Sequence, residues 1–157
     1  MKTITGTLLA AGALALLAGC GGGGGDTTGV PTGDVSKADY IAQADQVCQA
    51  QRKKLQKEST DYFVNQLGLP PNQSPTPEQF ATFAKQSLIP SVQSELDQLR
   101  QIEAPSEDAD RISKVYDTAQ QELAAIKKDP SSVASGDSFA KANKLAQEYG
   151  FKVCGAG

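Results

Sequence analysis

The sequence predicts an all-α fold: a four-helix bundle-like domain closed by a disulfide, preceded by a cleaved signal peptide and a flexible Gly-rich tether. Three observations point there. Apolar residues recur at helical spacing in four stretches between residues 36 and 149. Residues that start and stop helices bracket those stretches. Ala, Gln, Leu, Lys, Glu and Ser dominate, while strand-forming aromatic and β-branched residues are sparse and scattered. The chain divides into an export segment at 1–19, a tether at 20–35 and a helical domain at 36–157. That last part, about 120 residues, is the size of one ordinary domain and buries about 65% of the surface of its unfolded chain.

The first helix is expected to start at Ser36, whose hydroxyl caps free amides while Asp39 meets the positive helix end. Ile41, Ala44, Cys48, Leu55 and Tyr62 then share one face, with Val47 and Phe63 beside it. Gly68-Leu69-Pro70-Pro71 stops the pattern after about Gln66. In the second stretch Thr76 is the expected N-cap, Pro77 takes the first helical position and Gln79 completes a capping box. Phe80, Phe83, Ala84 and Leu88 form its apolar face, and the pattern resumes as Val92, Leu96, Leu99 and Ile102. Pro90 lacks an amide proton and clashes with the preceding turn, so a kink or restart is expected there.

The third stretch opens on Ser106 as cap, with Glu107, Asp108 and Asp110 in its first turn. Ile112, Tyr116, Ala119, Leu123 and Ile126 follow at steps of 4, 3, 4 and 3, and Lys127 and Lys128 close it before Asp129-Pro130. A shorter helix is expected from about Asp137 to Tyr149, with Phe139, Ala142, Leu145 and Ala146 inward and Gly150 as its stop. Short connections between amphipathic helices of these lengths make a bundle.

Ahead of the domain, Met1-Lys2 and the apolar run from Ile4 to Ala18 have the parts of a signal peptide. The run is shorter than the roughly 20 apolar residues of a membrane-spanning helix. Leu17-Ala18-Gly19-Cys20 resembles the lipobox of bacterial lipoproteins. The resemblance implies cleavage between Gly19 and Cys20 and acylation of Cys20, with the bilayer as partner and the extracytoplasmic face of the cell membrane as location. Each acyl chain contributes about 0.8 kcal/mol per buried methylene, and stable anchoring takes more than one chain. Residues 21–35, GGGGGDTTGVPTGDV, have almost nothing apolar to bury and read as a tether. A Gly-rich segment of about 15 residues spans roughly 20 Å.

The chain holds three cysteines. With Cys20 acylated, Cys48 and Cys154 remain to pair. The alternative is two reactive thiols, but no Cys-x-x-Cys and no histidine is present, and an exported protein meets an oxidising compartment. A Cys48–Cys154 bridge closes a loop of about 107 residues, which a chain-entropy treatment credits with roughly 4.7 kcal/mol.

Lys37-Ala38-Asp39-Tyr40-Ile41 leading to Cys48, the leucine-rich segment from Leu96 to Pro105, and Tyr149-Gly150-Phe151-Lys152-Val153-Cys154-Gly155 together resemble a group of small exported lipoproteins of Gram-positive, high-GC bacteria. That resemblance covers most of the mature domain. It supports the helical fold and the disulfide, and it brings no catalytic residues with it.

The absence of histidine removes Ser-His-Asp and Cys-His sites and the commonest zinc and iron ligand sets. No cofactor and no metal site is expected. Glu107, Asp108 and Asp110, near Glu103, lack the spacing and turn glycine of a calcium loop and read as charge at a helix start. The run Gln51-Arg52-Lys53-Lys54-Leu55-Gln56-Lys57 is the one basic cluster and reads as a solvated helix face. The mature chain, without Lys2, has 14 basic and 18 acidic residues, a net charge near −4, which argues against nucleic acid as a partner. Tyr62 and Tyr116 keep core spacing and are expected at the rim of the packing, and residues 69–77, LPPNQSPTP, read as a stiff loop.

These observations point to a membrane-anchored, non-enzymatic protein. Its first expected role is interaction or scaffolding with an envelope protein, which calls for an exposed apolar or tyrosine-bearing face. The alternative is a binding protein for a small or lipidic ligand, which calls for a cavity between helices near Pro90. The exposure of Tyr40 and Tyr149 and the volume near Pro90 separate the two.

Overall fold

The computed structural model describes residues 34–156. The export segment, Cys20 and the tether as far as residue 33 lie outside the described residues. The fold is all-α, with five α-helices and no strand among the described residues. Helix α1 spans Lys37–Thr60 and runs on as a π-helical turn, Asp61–Gln66. Helices α2 (Pro77–Phe83) and α3 (Ile89–Leu99) are joined through the π-helical turn Ala84–Leu88. Helix α4 is Ala109–Lys128 and α5 is Ala140–Tyr149. Counting α2 and α3 as one rod gives the expected four.

The helix starts show why. Ser36 accepts from the Asp39 amide, and Thr76 and Gln79 form the reciprocal capping box. At the end of α5, Gly150 stands at φ 119°, where a side chain is strained. Regular α-helix restarts beside Pro90, which sits in the first turn of α3. The helix widens just before it, so that the Ile89 amide reaches back to Ala84 O, and all these residues keep right-handed helical geometry. The wider turn absorbs the missing donor and the ring of Pro90.

Two expected starts move. Ser106 does not cap α4: residues Ser106–Asp108 form a 3₁₀ turn and α4 follows at Ala109. The Ser106 amide donates instead to Asp34 at 3.1 Å, and its hydroxyl donates to the same carboxylate. Those two bonds hold the Asp34 carboxyl below its usual range. Val35 packs on the core beside it. Asp34 and Val35, assigned to the tether from sequence, therefore belong to the folded domain. Helix α5 begins at Ala140, where the Glu122 carboxylate accepts from the Lys141 and Ala142 amides, both at 3.1 Å.

The core is built on Tyr40, Ala44, Cys48, Leu96, Leu99, Ile112, Tyr116, Leu123, Ala146 and Phe151, all buried. Cys48 and Cys154 are disulfide-bonded, with their Cα atoms 5.1 Å apart. The bridge pins the tail after α5 to the middle of α1. Asp45 reinforces it, accepting from the amides of Lys152, Val153 and Cys154 at 2.9 to 3.1 Å. At Gly155 the tail lies so close to α5 that a Cβ would stand 2.9 Å from Gln147 N and 3.0 Å from Asn143 O. That contact is the physical reason for the glycine after Cys154.

Candidate ligand-binding cavity

Tyr62 is half-buried, as expected at the rim, while Tyr40, Tyr116 and Tyr149 sit deeper. Tyr40 is fully buried, and its hydroxyl shares a 2.5 Å hydrogen bond with that of Tyr116. Tyr149 donates to Asp108 at 3.0 Å, and Asp108 also pairs with Arg111 at 3.5 Å. Phe151 completes the layer, with ring centroids 6.0 Å from Tyr40 and 5.1 Å from Tyr149. Lys37 stands over the Tyr149 ring at 4.3 Å. Burial raises all three phenol pKa values, and the hydrogen bonds to Tyr40 and Asp108 add to the rise at Tyr116 and Tyr149. These phenols stay neutral. Asp108, read from sequence as helix-start charge, is thereby a buried acceptor.

Beside Leu96, Leu99 and Tyr116 the packing leaves a gap. A cavity of about 250 Å³ opens between α1, α3, α4, α5 and the tail. Its walls are mainly apolar, including Leu55, Leu88, Val92 and Ala119. Its position beside Leu88, Ser91 and Val92 puts it next to Pro90, where the π-helical turn displaces the rod. Its volume exceeds the roughly 150 Å³ of an engineered apolar cavity that binds benzene. It falls just below the approximately 300–1,000 Å³ range of small-molecule pockets.

Three polar side chains distinguish this cavity from a packing defect. Gln51 is 8% exposed, and its Oε1 has no hydrogen-bond partner. Glu95 forms no hydrogen bond or ion pair among the described residues. Burial lifts its carboxyl from 4.5 to about 7, while the Arg52 guanidinium pulls the other way. Arg52 itself is engaged, donating to Val153 O at 2.8 Å and to Ala156 O. Its side chain therefore ties the tail across one side of the opening. The basic cluster of the sequence is thus no uniform solvated face. Gln51 is buried and Arg52 is spent on the tail, while Lys53, Lys54 and Lys57 are exposed.

A second hollow of about 350 Å³ lies across Leu99 and Tyr116, lined in part by Ile102, Ala104 and Ile112. Its charged walls, Arg100 and Asp117, already pair at 3.4 Å. No unpartnered buried polar atom lines it among the described residues.

Of the sequence-predicted sites, Cys48 and Cys154 are brought together and contribute to the cavity wall. Gly19 and Cys20 lie outside the described residues. Among the described residues no cluster of His, Cys, Asp or Glu is arranged to hold a metal ion. Sequence reasoning placed Gln51 and Arg52 on a solvated face and passed over Glu95, although a signal existed. Gln51 continues the series Ala44, Cys48, Leu55 at steps of 4, 3 and 4, and Glu95 stands three residues after Val92. A polar residue inside an apolar stripe marks a buried polar group.

Fold and site together define an all-α, disulfide-closed domain with an internal cavity. No protein-family model, no curated protein and no solved structure matches the chain.

Proposed function

We propose that this domain binds a small, largely apolar molecule in the cavity between α1, α3 and α4, and that acylated Cys20 holds it on the extracytoplasmic face of the cell membrane. The observation that carries the reading is the buried, unpartnered Oε1 of Gln51 in an apolar cavity of about 250 Å³. A buried acceptor without a donor costs about 1–3 kcal/mol, and a ligand that supplies the donor recovers that cost. The role in this reading is non-enzymatic.

Anchoring draws support from cysteine pairing. Cys48 and Cys154 are joined, which leaves Cys20 as the remaining cysteine. No helix among the described residues is long and apolar enough to cross a membrane. Replacing Cys20 with Ala is expected to release the protein from the membrane fraction; continued attachment through an uncleaved leader overturns the anchor.

Interaction with an envelope protein is the second reading. Val64 and Leu67, exposed at 48% and 39%, favour it. The tyrosines that such a face called for do not, since Tyr40 and Tyr149 are buried. Native mass spectrometry of the full protein, extracted gently from host membranes, separates the two. A small mass that leaves on denaturation and is missing from an Ala119→Phe variant is the expected result. An empty domain travelling with a second polypeptide favours the interaction module.

A further inference from the structure

Resting on the cavity reading above, we propose that the ligand is a small amine-bearing amphiphile, with its ammonium between Glu95 and Gln51 and its hydrocarbon body along Leu88, Val92 and Ala119. The argument is an inventory of protons. Three of the donors on the walls are already committed. Arg52 donates to two tail carbonyls, the Ser91 hydroxyl donates to Glu58 at 3.5 Å, and the Tyr116 hydroxyl is shared with Tyr40. Two acceptors there are open: Gln51 Oε1 has no donor, and the half-buried Glu95 carboxyl on the same wall makes no hydrogen bond or ion pair among the described residues.

A molecule that satisfies these two acceptors has to bring protons with it. A carboxylate brings none and sets its lone pairs against those of Gln51 and Glu95. An alcohol brings one. A primary ammonium brings three, and its positive charge meets a carboxylate in a setting of low dielectric, where the attraction is strong. The cavity volume limits the body to a short chain or a single ring.

Binding is then coupled to pH through Glu95. The charged and titratable groups facing it are Arg52 of α1 and Tyr116 of α4; α5 contributes Asn143 and the tail backbone carbonyls. An alkylammonium stays protonated well above neutrality, as lysine does. Affinity therefore follows ionisation of Glu95 and falls by about tenfold from pH 8 to pH 6.

Calorimetric titration of the full protein with n-hexylamine, hexan-1-ol and hexanoate, at pH 6 and pH 8, tests the idea. The expected result is a preference for hexylamine of at least about tenfold over the alcohol at pH 8, lost in Glu95→Gln while hexan-1-ol binding persists. Hexanol equal to the amine, or hexanoate tighter than either, overturns the amine assignment and leaves the cavity reading standing. No binding of any probe by the unaltered protein overturns both. The ranking of the three probes on the unaltered protein decides the matter even where Glu95→Gln fails to fold.

Discussion

Two polar clusters adjoin Leu96 and Leu99, with Tyr116 reaching both, and they are finished differently. In the tyrosine layer each buried hydroxyl has a partner: Tyr40 with Tyr116, and Tyr149 with Asp108. In the cavity, Gln51 Oε1 and the Glu95 carboxyl have none. One chain under one set of folding constraints satisfied the first cluster and left the second open. Full satisfaction is what rigid structure requires. The open cluster is therefore where function is to be sought.

Five changes break or sharpen that contrast. The largest effect belongs to the closed layer. Tyr40→Ala removes a fully buried ring and is expected to cost about 3–5 kcal/mol in urea unfolding. Val92→Ala, in a wall that already faces empty space, is expected to cost about 1 kcal/mol or less. Equal costs would mean that the cavity collapses when its wall is trimmed.

Next comes pH. Glu95 holds its proton in the folded state up to about pH 7, whereas the unfolded group ionises near 4.5. Between those values the folded state binds more protons, so stability falls as pH rises, and it levels off above 7. The expected loss is about 2 kcal/mol after allowing for partial exposure. Subtracting the pH dependence of Glu95→Gln from that of the unaltered protein isolates it. A flat difference curve would mean that Glu95 faces water.

A similar or slightly smaller effect is expected from Tyr149→Phe, which strips a donor from the buried Asp108 carboxylate. A hydrogen bond to a charged group is worth about 1.5–3 kcal/mol, measured again by denaturant unfolding. The smallest effect is the most telling. Gln51→Leu removes an orphaned acceptor and is expected to leave stability within about 1 kcal/mol of the parent, or to raise it. A loss well beyond that would show that the Gln51 amide has a structural bond, and the cavity would lose its claim to be open.

The helices were legible in the sequence because their signals are local. Ser36, Thr76 and Gln79 announce their starts, the stripe from Ile112 to Ile126 announces a buried face, and Gly150 marks a stop. The site was less legible because it depends on how far apart those faces are held. Periodicity shows that Val92 and Leu96 point inward; it does not show that Leu88 and Ala119 line a cavity. Nor does it reveal that Arg52 reaches across 101 residues of sequence to Val153 O, or that Ser106 surrenders its capping role to Asp34. Gln51 and Glu95 were overlooked because each has charged or polar neighbours that make its position read as solvent-facing.

The bridge from residue 48 to residue 154 also makes the domain a covalent ring, closed through sulfur, with the proline-rich connection at 69–77 on its circumference. A protease that cuts that connection opens the ring without dividing the particle. The piece carrying Cys48 and the piece carrying Cys154 stay joined and migrate together until a reductant is added. A single nick in that exposed connection is then survivable damage.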